Sequence, residues 1–75
     1  MRRQEVDSEG IVSIGYERQR RELEVQFRHG DIYRYFDVSA GEFAEFMAAE
    51  SKGTYLNQIF KPKNHRYFVV KQGGK

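Results

Sequence analysis

ELEVQFRHGDIYRYF, residues 22–36, is the stretch whose reading decides the fold. Its first arm alternates strictly, with Leu23, Val25 and Phe27 pointing one way and Glu22, Glu24, Gln26 and Arg28 the other. A period of two belongs to a half-buried strand, because successive side chains leave opposite faces of a sheet. His29-Gly30 interrupts the run, and residues 32–36 then return β-branched and aromatic residues, so the stretch is a β-hairpin with a Tyr-Arg-Tyr second arm. A two-residue type I′ turn would hold His29 at φ > 0, which is costly for residues other than Gly, Asn or Asp. A three-residue loop, Arg28-His29-Gly30 with Gly30 alone in the left-handed region, avoids that cost, and we favour it. It pairs Phe27 with Asp31, Val25 with Tyr33 and Leu23 with Tyr35. Tyr33 and Tyr35 then share the face of Leu23 and Val25, while Ile32, Arg34 and Phe36 take the other. The two-residue turn reverses the faces, since a one-residue slip flips every side chain.

Upstream, Ile11–Glu17 (IVSIGYE) reads as a strand with Val12, Ile14 and Tyr16 on one face, and Gly15 suggests a bulge or a close neighbour. Residues 17–21 (ERQRR) connect it to the hairpin as a solvated basic turn, making a three-stranded antiparallel meander. Residues 1–10 are polar and mixed in charge and are expected to be flexible. Downstream, the period changes to that of a helix at Val38-Ser39. Ser39 with Glu42 three residues on is a capping box, and Val38 with Phe43 suits the accompanying hydrophobic staple. Phe43, Phe46 and Met47 form an apolar stripe that must cover one face of the sheet. The spacing predicts a helix over 39–51, ended by Gly53 in the left-handed region, and a short second helix over 54–60 capped by Thr54 and closed by Pro62. Residues 66–70 (RYFVV) fit either a fourth strand or an extended tail packed across the sheet, and residues 71–75 read as a disordered tail. The fold class is therefore α+β, one domain over residues 11–70.

Seventy-five residues without cysteine must be held by packing alone, with no disulfide or Cys-based metal site. Charged residues make up 32% and no apolar run approaches a spanning length, which excludes a membrane protein, and the N-terminus lacks the apolar segment of a secretory signal. A soluble, cytoplasmic protein is expected. Net charge is only +2, but residues 51–75 carry six basic residues and no acid, whereas residues 31–50 carry five acids against Arg34 alone. That asymmetry points to an anionic partner on the C-terminal side as readily as to a slightly basic solvated tail.

In their order and spacing these residues resemble the KTSC family, a small domain named for its occurrence at the C-terminus of some lysyl-tRNA synthetases and also free-standing in bacteria. The resemblance runs over about residues 13–67. It rests on Ile14-Gly15-Tyr16, the L-x-V-x-F of Leu23, Val25 and Phe27, Gly30, Tyr33-Arg34-Tyr35, Val38, Ser51-Lys52-Gly53 and Tyr55-Leu56-Asn57. What it implies is an accessory RNA contact, drawn from the synthetase context, since these residues include no synthetase catalytic domain.

No catalytic constellation stands beside this. His29 and His65 lie in a turn and a loop without ligand-spaced partners and read as surface residues, no serine sits in a nucleophile elbow, and no Gly-rich phosphate loop or cofactor motif is present. A non-catalytic binding module without metal or cofactor is expected. Exposed aromatics stack on bases and cations meet phosphates, so the candidates for RNA contact are Tyr33, Arg34, Tyr35, Lys52, Lys61, Lys63 and Arg66, with Tyr67 beside them. Arg34 should face away from the core. The competing class is a protein-interaction or homodimerisation module that uses a sheet edge, or an outward apolar strip of Ile32 and Phe36.

Overall fold

A computed structural model describes residues 3–73 of the chain. Gly30, at φ 107°, closes the three-residue loop at the centre of the hairpin. Phe27 N–H donates to Asp31 C=O and Gly30 N–H to Phe27 C=O, both at 2.9 Å. The register follows, with Leu23 opposite Tyr35, Glu24 opposite Arg34 and Val25 opposite Tyr33. Leu23, Val25 and Tyr35 are buried together on one face, as the three-residue loop requires.

Around this hairpin the sheet has five strands rather than three: β1 Arg3–Glu5, β2 Ile11–Glu17, β3 Glu22–Phe27, β4 Ile32–Tyr35 and β5 Tyr67–Lys71. They lie antiparallel in the order β1-β2-β3-β4-β5. Strand β5 settles the open alternative for residues 66–70: it is a strand, and it pairs with β4. Strand β1 lies within the segment expected to be flexible. Three exposed polar residues carry no hydrophobic period, so the sequence showed no strand there; Arg3 anchors it through an ion pair of 2.6 Å to Glu24. Residues 8–10 are also held, because the Arg28 guanidinium donates to the carbonyls of Ser8 and Glu9, each at 2.8 Å. At the other end Lys71 is part of β5 and Gly73 N–H donates to Asp31 at 2.7 Å, contrary to the expected tail. A side chain at Gly73 would run into the Gly30 backbone, which is why the chain can lie down there only as glycine. Residues 1, 2, 74 and 75, to which the flexible ends were also assigned, lie outside the described residues.

The irregularity in β2 falls between Ile11 and Ser13 instead of at Gly15, which pairs regularly with Glu24. It turns Ile11 into the core beside Ile14 and leaves Val12 half-buried, replacing the expected Val12–Ile14 pair.

Helix α1 spans Ala40–Ala48, and its start is the capping box read from the sequence. Glu42 N–H donates to Ser39 Oγ at 3.1 Å and Ser39 N–H to Glu42 Oε1 at 2.9 Å. Phe46 is fully buried; Phe43 stacks on Tyr16 at 4.6 Å, and the Tyr16 hydroxyl donates to Val38 C=O at 2.5 Å. The helix stops earlier than expected. Ala49 turns extended, its N–H bonds back to Phe46 C=O, and Lys52 Nζ donates to Ala49 C=O at 3.2 Å. Ser51, not Thr54, caps helix α2 Lys52–Tyr55, accepting the Thr54 N–H at 3.3 Å, so Gly53 sits inside a helix rather than ending one. The chain continues as a wider π turn Leu56–Phe60 and a 3-10 turn Lys61–Lys63 that contains Pro62. Proline joins that first turn instead of closing the helix, because a helix start needs no N–H from it. Asn64, left-handed at φ 62°, then sends the chain into β5.

The core lies between the sheet and these helical turns: Ile11, Ile14, Leu23, Val25, Tyr35, Val38, Phe46, Tyr55, Leu56 and Phe60. Among the described residues no helix is long and apolar enough to cross a membrane.

Candidate functional site: an aromatic groove beside the last strand

The opposite face of the sheet is polar, and its centre is a carboxylate. Glu24, 4% exposed, receives Arg3 at 2.6 Å and the Arg34 guanidinium at 2.5 and 3.0 Å. Burial works against its charge, but the hydrogen bonds and charges of Arg34 and Arg3 outweigh it and hold the carboxyl below its ordinary value. Arg34 does face away from the core, as expected, but it is engaged. Its guanidinium also lies over the Phe68 ring, 5.6 Å from the centroid. Phe36 stacks on Phe68 at 5.8 Å and carries Arg66 over its ring. Ile32 is buried at 7% exposure, so the outward apolar strip consists of Phe36 and Phe68 rather than Ile32 and Phe36.

On the helix side, β4, β5 and the turns after α2 leave an open groove. One pocket of about 300 Å³ is lined by Tyr33, Tyr35, Phe60, Lys61, Asn64, His65 and Tyr67. A second of about 280 Å³ is lined by Phe27, His29, Asp31, Tyr33, Asn57 and Lys61. Tyr33 and Lys61 belong to both, so the two pockets adjoin across them. The walls are aromatic planes at fixed angles. Tyr67 stacks on Tyr33 at 5.3 Å with 13° between planes, Phe27 meets Tyr33 edge-on at 5.4 Å, and His29 stacks on Phe27 at 5.6 Å. Tyr67 is 55% exposed.

The floor is rigid. Tyr35 is 4% exposed and meets Phe60 edge-on at 5.0 Å. Its burial, with the neighbouring Tyr33 and Tyr67, pushes its phenol up to about 12. His65 stacks on Phe60 at 4.7 Å, with Nδ1 3.0 Å from Phe36 C=O and Nε2 2.9 Å from Glu42. Glu42 is thereby a hub. Burial raises its carboxyl, but the Ser39 N–H, His65 and Lys63 at 3.3 Å prevail and bring it down to about 2. This one carboxylate caps α1 and pins the turn that forms the groove wall.

Of the candidates read from the sequence, the structure brings Tyr33, Tyr35, Lys61 and Tyr67 together in the groove. Tyr35 is a wall of the core and offers little surface, since it fills the space between Leu23 and Phe60. Arg34 lies on the opposite face, Lys52 closes the end of α1, Lys63 is paired with Glu42, and Arg66 is paired at 3.3 Å with the equally exposed Asp37. Phe60, Asn64 and His65 were not anticipated as site residues. His65 was expected on the surface, yet its side chain is only 11% exposed. The partners that bury it are 23 and 29 residues away, so no local signal could reveal them. Chemically the groove can hold flat rings against aromatic faces and an anionic group against Lys61.

Comparison with known proteins agrees with the resemblance seen in the sequence. The family model of the KTSC domain matches residues 7–67. An uncharacterized protein of Stutzerimonas stutzeri is 37% identical over 70 residues, covering 93% of this chain and 99% of its own. A protein of Tsukamurella paurometabola is 37% identical over 60 residues, covering 80% and 90%. The crystal structure of a KTSC domain protein from Yersinia pestis superposes with a TM-score of 0.87 at 36% identity, over 93% of this chain and 97% of that one. On the family match and these relatives, the chain belongs to the KTSC domain family.

Proposed function

We propose that this domain is a non-catalytic module that binds single-stranded RNA in the cytoplasm, through the groove rather than through the wider surface its sequence outlines. The observation that carries the reading is the pair of adjoining pockets walled by Tyr33, Phe60 and Tyr67, with Lys61 between them. Stacking on a rigid aromatic face is available to every base, and a lysine beside it can meet the linking phosphate. Of the lysine-rich C-terminal third, Lys61 is the cation that lines the groove, while Arg66 lies over the Phe36 ring on the opposite face.

Fluorescence anisotropy with labelled oligonucleotides across a salt series tests this and separates the two kinds of contact. Lys61→Ala is expected to weaken binding alike for all sequences and to flatten the slope of log K against log salt by about 0.7, one single-strand phosphate contact. Tyr67→Ala is expected to cost about 1–3 kcal/mol, one stacked base, with the slope unchanged. Absence of salt-sensitive association at low ionic strength, with the protein folded, refutes the proposal.

A further inference from the structure

The two pockets of the groove differ in chemistry. The one beside Tyr67 is walled chiefly by the rings of Tyr33, Tyr35, Phe60 and Tyr67. Its neighbour, of about 280 Å³, has Phe27 and Tyr33 for flat walls but is lined as well by Asp31, Asn57 and Lys61. A carboxylate works against a groove that meets phosphate, because its charge repels the strand. Its position is nonetheless fixed by the fold. Gly73 N–H donates to Asp31 Oδ1 at 2.7 Å, and Gly73 lies so close to the Gly30 backbone that no side chain fits there. His29 Nδ1 stands 3.7 Å from the same oxygen. Among the described residues Oδ2 has no hydrogen-bond partner, and 21% of the side chain is open to solvent.

We infer that this second pocket selects guanine, with Asp31 reading the base; the inference rests on the proposed RNA contact and names the base that contact prefers. An ionised Asp accepts hydrogen bonds through both oxygens and donates none. Guanine alone among the four bases carries two adjacent donors on its Watson–Crick edge, N1–H and N2–H₂, which match the two oxygens of one carboxylate. Adenine and cytosine set a ring-nitrogen acceptor beside the amino group, and uracil flanks its one N–H with two carbonyls. Each of these turns a lone pair toward the carboxylate and leaves it short of a donor. Oδ1 has lone pairs enough to keep Gly73 N–H and accept from the base as well. Beside N1–H guanine presents the acceptor O6, and the Asn57 amide, on the same pocket, is a neutral donor for it. Lys61, shared by both pockets, stays with the phosphate that links the bases. Its ammonium also excludes a cationic guest, which aromatic walls and a carboxylate could otherwise hold. The strand is then held by one unselected stack beside Tyr67 and one selected base beside Asp31.

Anisotropy titrations with four short RNA strands, all uridine except for A, C, G or U at one central position, test this. Wild type is expected to bind the guanine strand about tenfold or more tightly than the other three, the discrimination of one bidentate base contact. Asp31→Asn keeps a carbonyl for Gly73 N–H and removes the charge and the second acceptor. In that variant the guanine preference is expected to vanish while the other three strands bind more tightly; a carboxylate acting through charge alone would strengthen all four alike. Asn57→Ala, at an exposed turn, is expected to reduce the same preference, and amide NMR spectra check that both variants fold. Equal affinity of wild type for the four strands overturns the inference and leaves the RNA contact standing, and so does a preference unchanged in folded Asp31→Asn. If no strand binds, the RNA contact fails, and an NMR titration with guanosine monophosphate decides the pocket by itself. Shifts at Asp31 and Asn57 that adenosine monophosphate does not produce assign it to the free guanine nucleotide, and their absence overturns the inference as well.

Discussion

Replacing Glu42 by Gln removes a charge while keeping the shape of the capping box. The Gln carbonyl can still accept the Ser39 N–H, and Ser39 Oγ still accepts the N–H of residue 42, so the cap itself survives. Lost are the charge at the helix N-terminus, the pair with Lys63 and the charged bond from His65. The first contributes about 0.5–1 kcal/mol. The Lys63 pair, with the lysine 39% exposed, adds about 0.5 kcal/mol or less. The His65 contact, 11% exposed on one side and 18% on the other, adds about 1.5 kcal/mol. The sum is about 2–3 kcal/mol, in line with a carboxyl brought from 4.5 down to about 2, which corresponds to roughly 3 kcal/mol. A folded-state value below the unfolded one means this stability is complete above the ordinary carboxylate range and is lost as pH falls through about 2. Urea melts at neutral pH should therefore place Glu42→Gln about 2–3 kcal/mol below wild type, roughly 10–20 °C in melting temperature for a domain of this size. On acidification the two proteins should converge, because protonation does to wild type what the substitution has already done. A gap that stays constant down to pH 2 would refute the hub, showing that Glu42 acts through shape alone.

Other substitutions separate the remaining supports. Ser39→Ala should cost about 1 kcal/mol by chemical denaturation through loss of the cap. Phe46→Ala, at a fully buried position against Tyr55 and Phe60, should cost about 3 kcal/mol or more and can prevent folding; equal losses for the two would place the helix stripe outside the core. Arg34→Ala should destabilise by about 1–3 kcal/mol, because among the described residues Glu24 then keeps Arg3 alone as a cation while staying buried. A double-mutant cycle with Glu24→Gln measures that coupling, and additivity would deny it.

The sequence was most legible where local chemistry is decisive. The strict alternation through Leu23, Val25 and Phe27, the demand for positive φ at Gly30 and the Ser39/Glu42 box each pointed to one local structure, and the register of Tyr33 and Tyr35 followed. It was least legible where tertiary partners decide. Arg3-Gln4-Glu5 has no hydrophobic period of its own and is held as a strand by its ladder to β2 and by the ion pair that Arg3 makes with Glu24. Arg34, read as a free cation on an open face, is held by that same carboxylate. His65 reads as a loop residue until Phe36, Glu42 and Phe60 surround it. The groove combines residues from β3, β4, β5 and the turns after α2, and only Tyr33, Tyr35, Lys61 and Tyr67 of it were visible as chemistry in the chain. Part of the charge asymmetry that suggested a broad basic surface is taken up within the fold, since Lys52 bonds the Ala49 carbonyl and Lys63 pairs with Glu42.

The most direct measurement is amide and side-chain NMR of the isotope-labelled domain, titrated with a short single-stranded RNA at low ionic strength. The account predicts shifts concentrated on Tyr33, Phe60, Lys61, His65 and Tyr67, with the Arg34–Glu24 face unmoved, and their reversal by added salt. Shifts confined to the Arg34 face, or none at all from a folded protein, would contradict it.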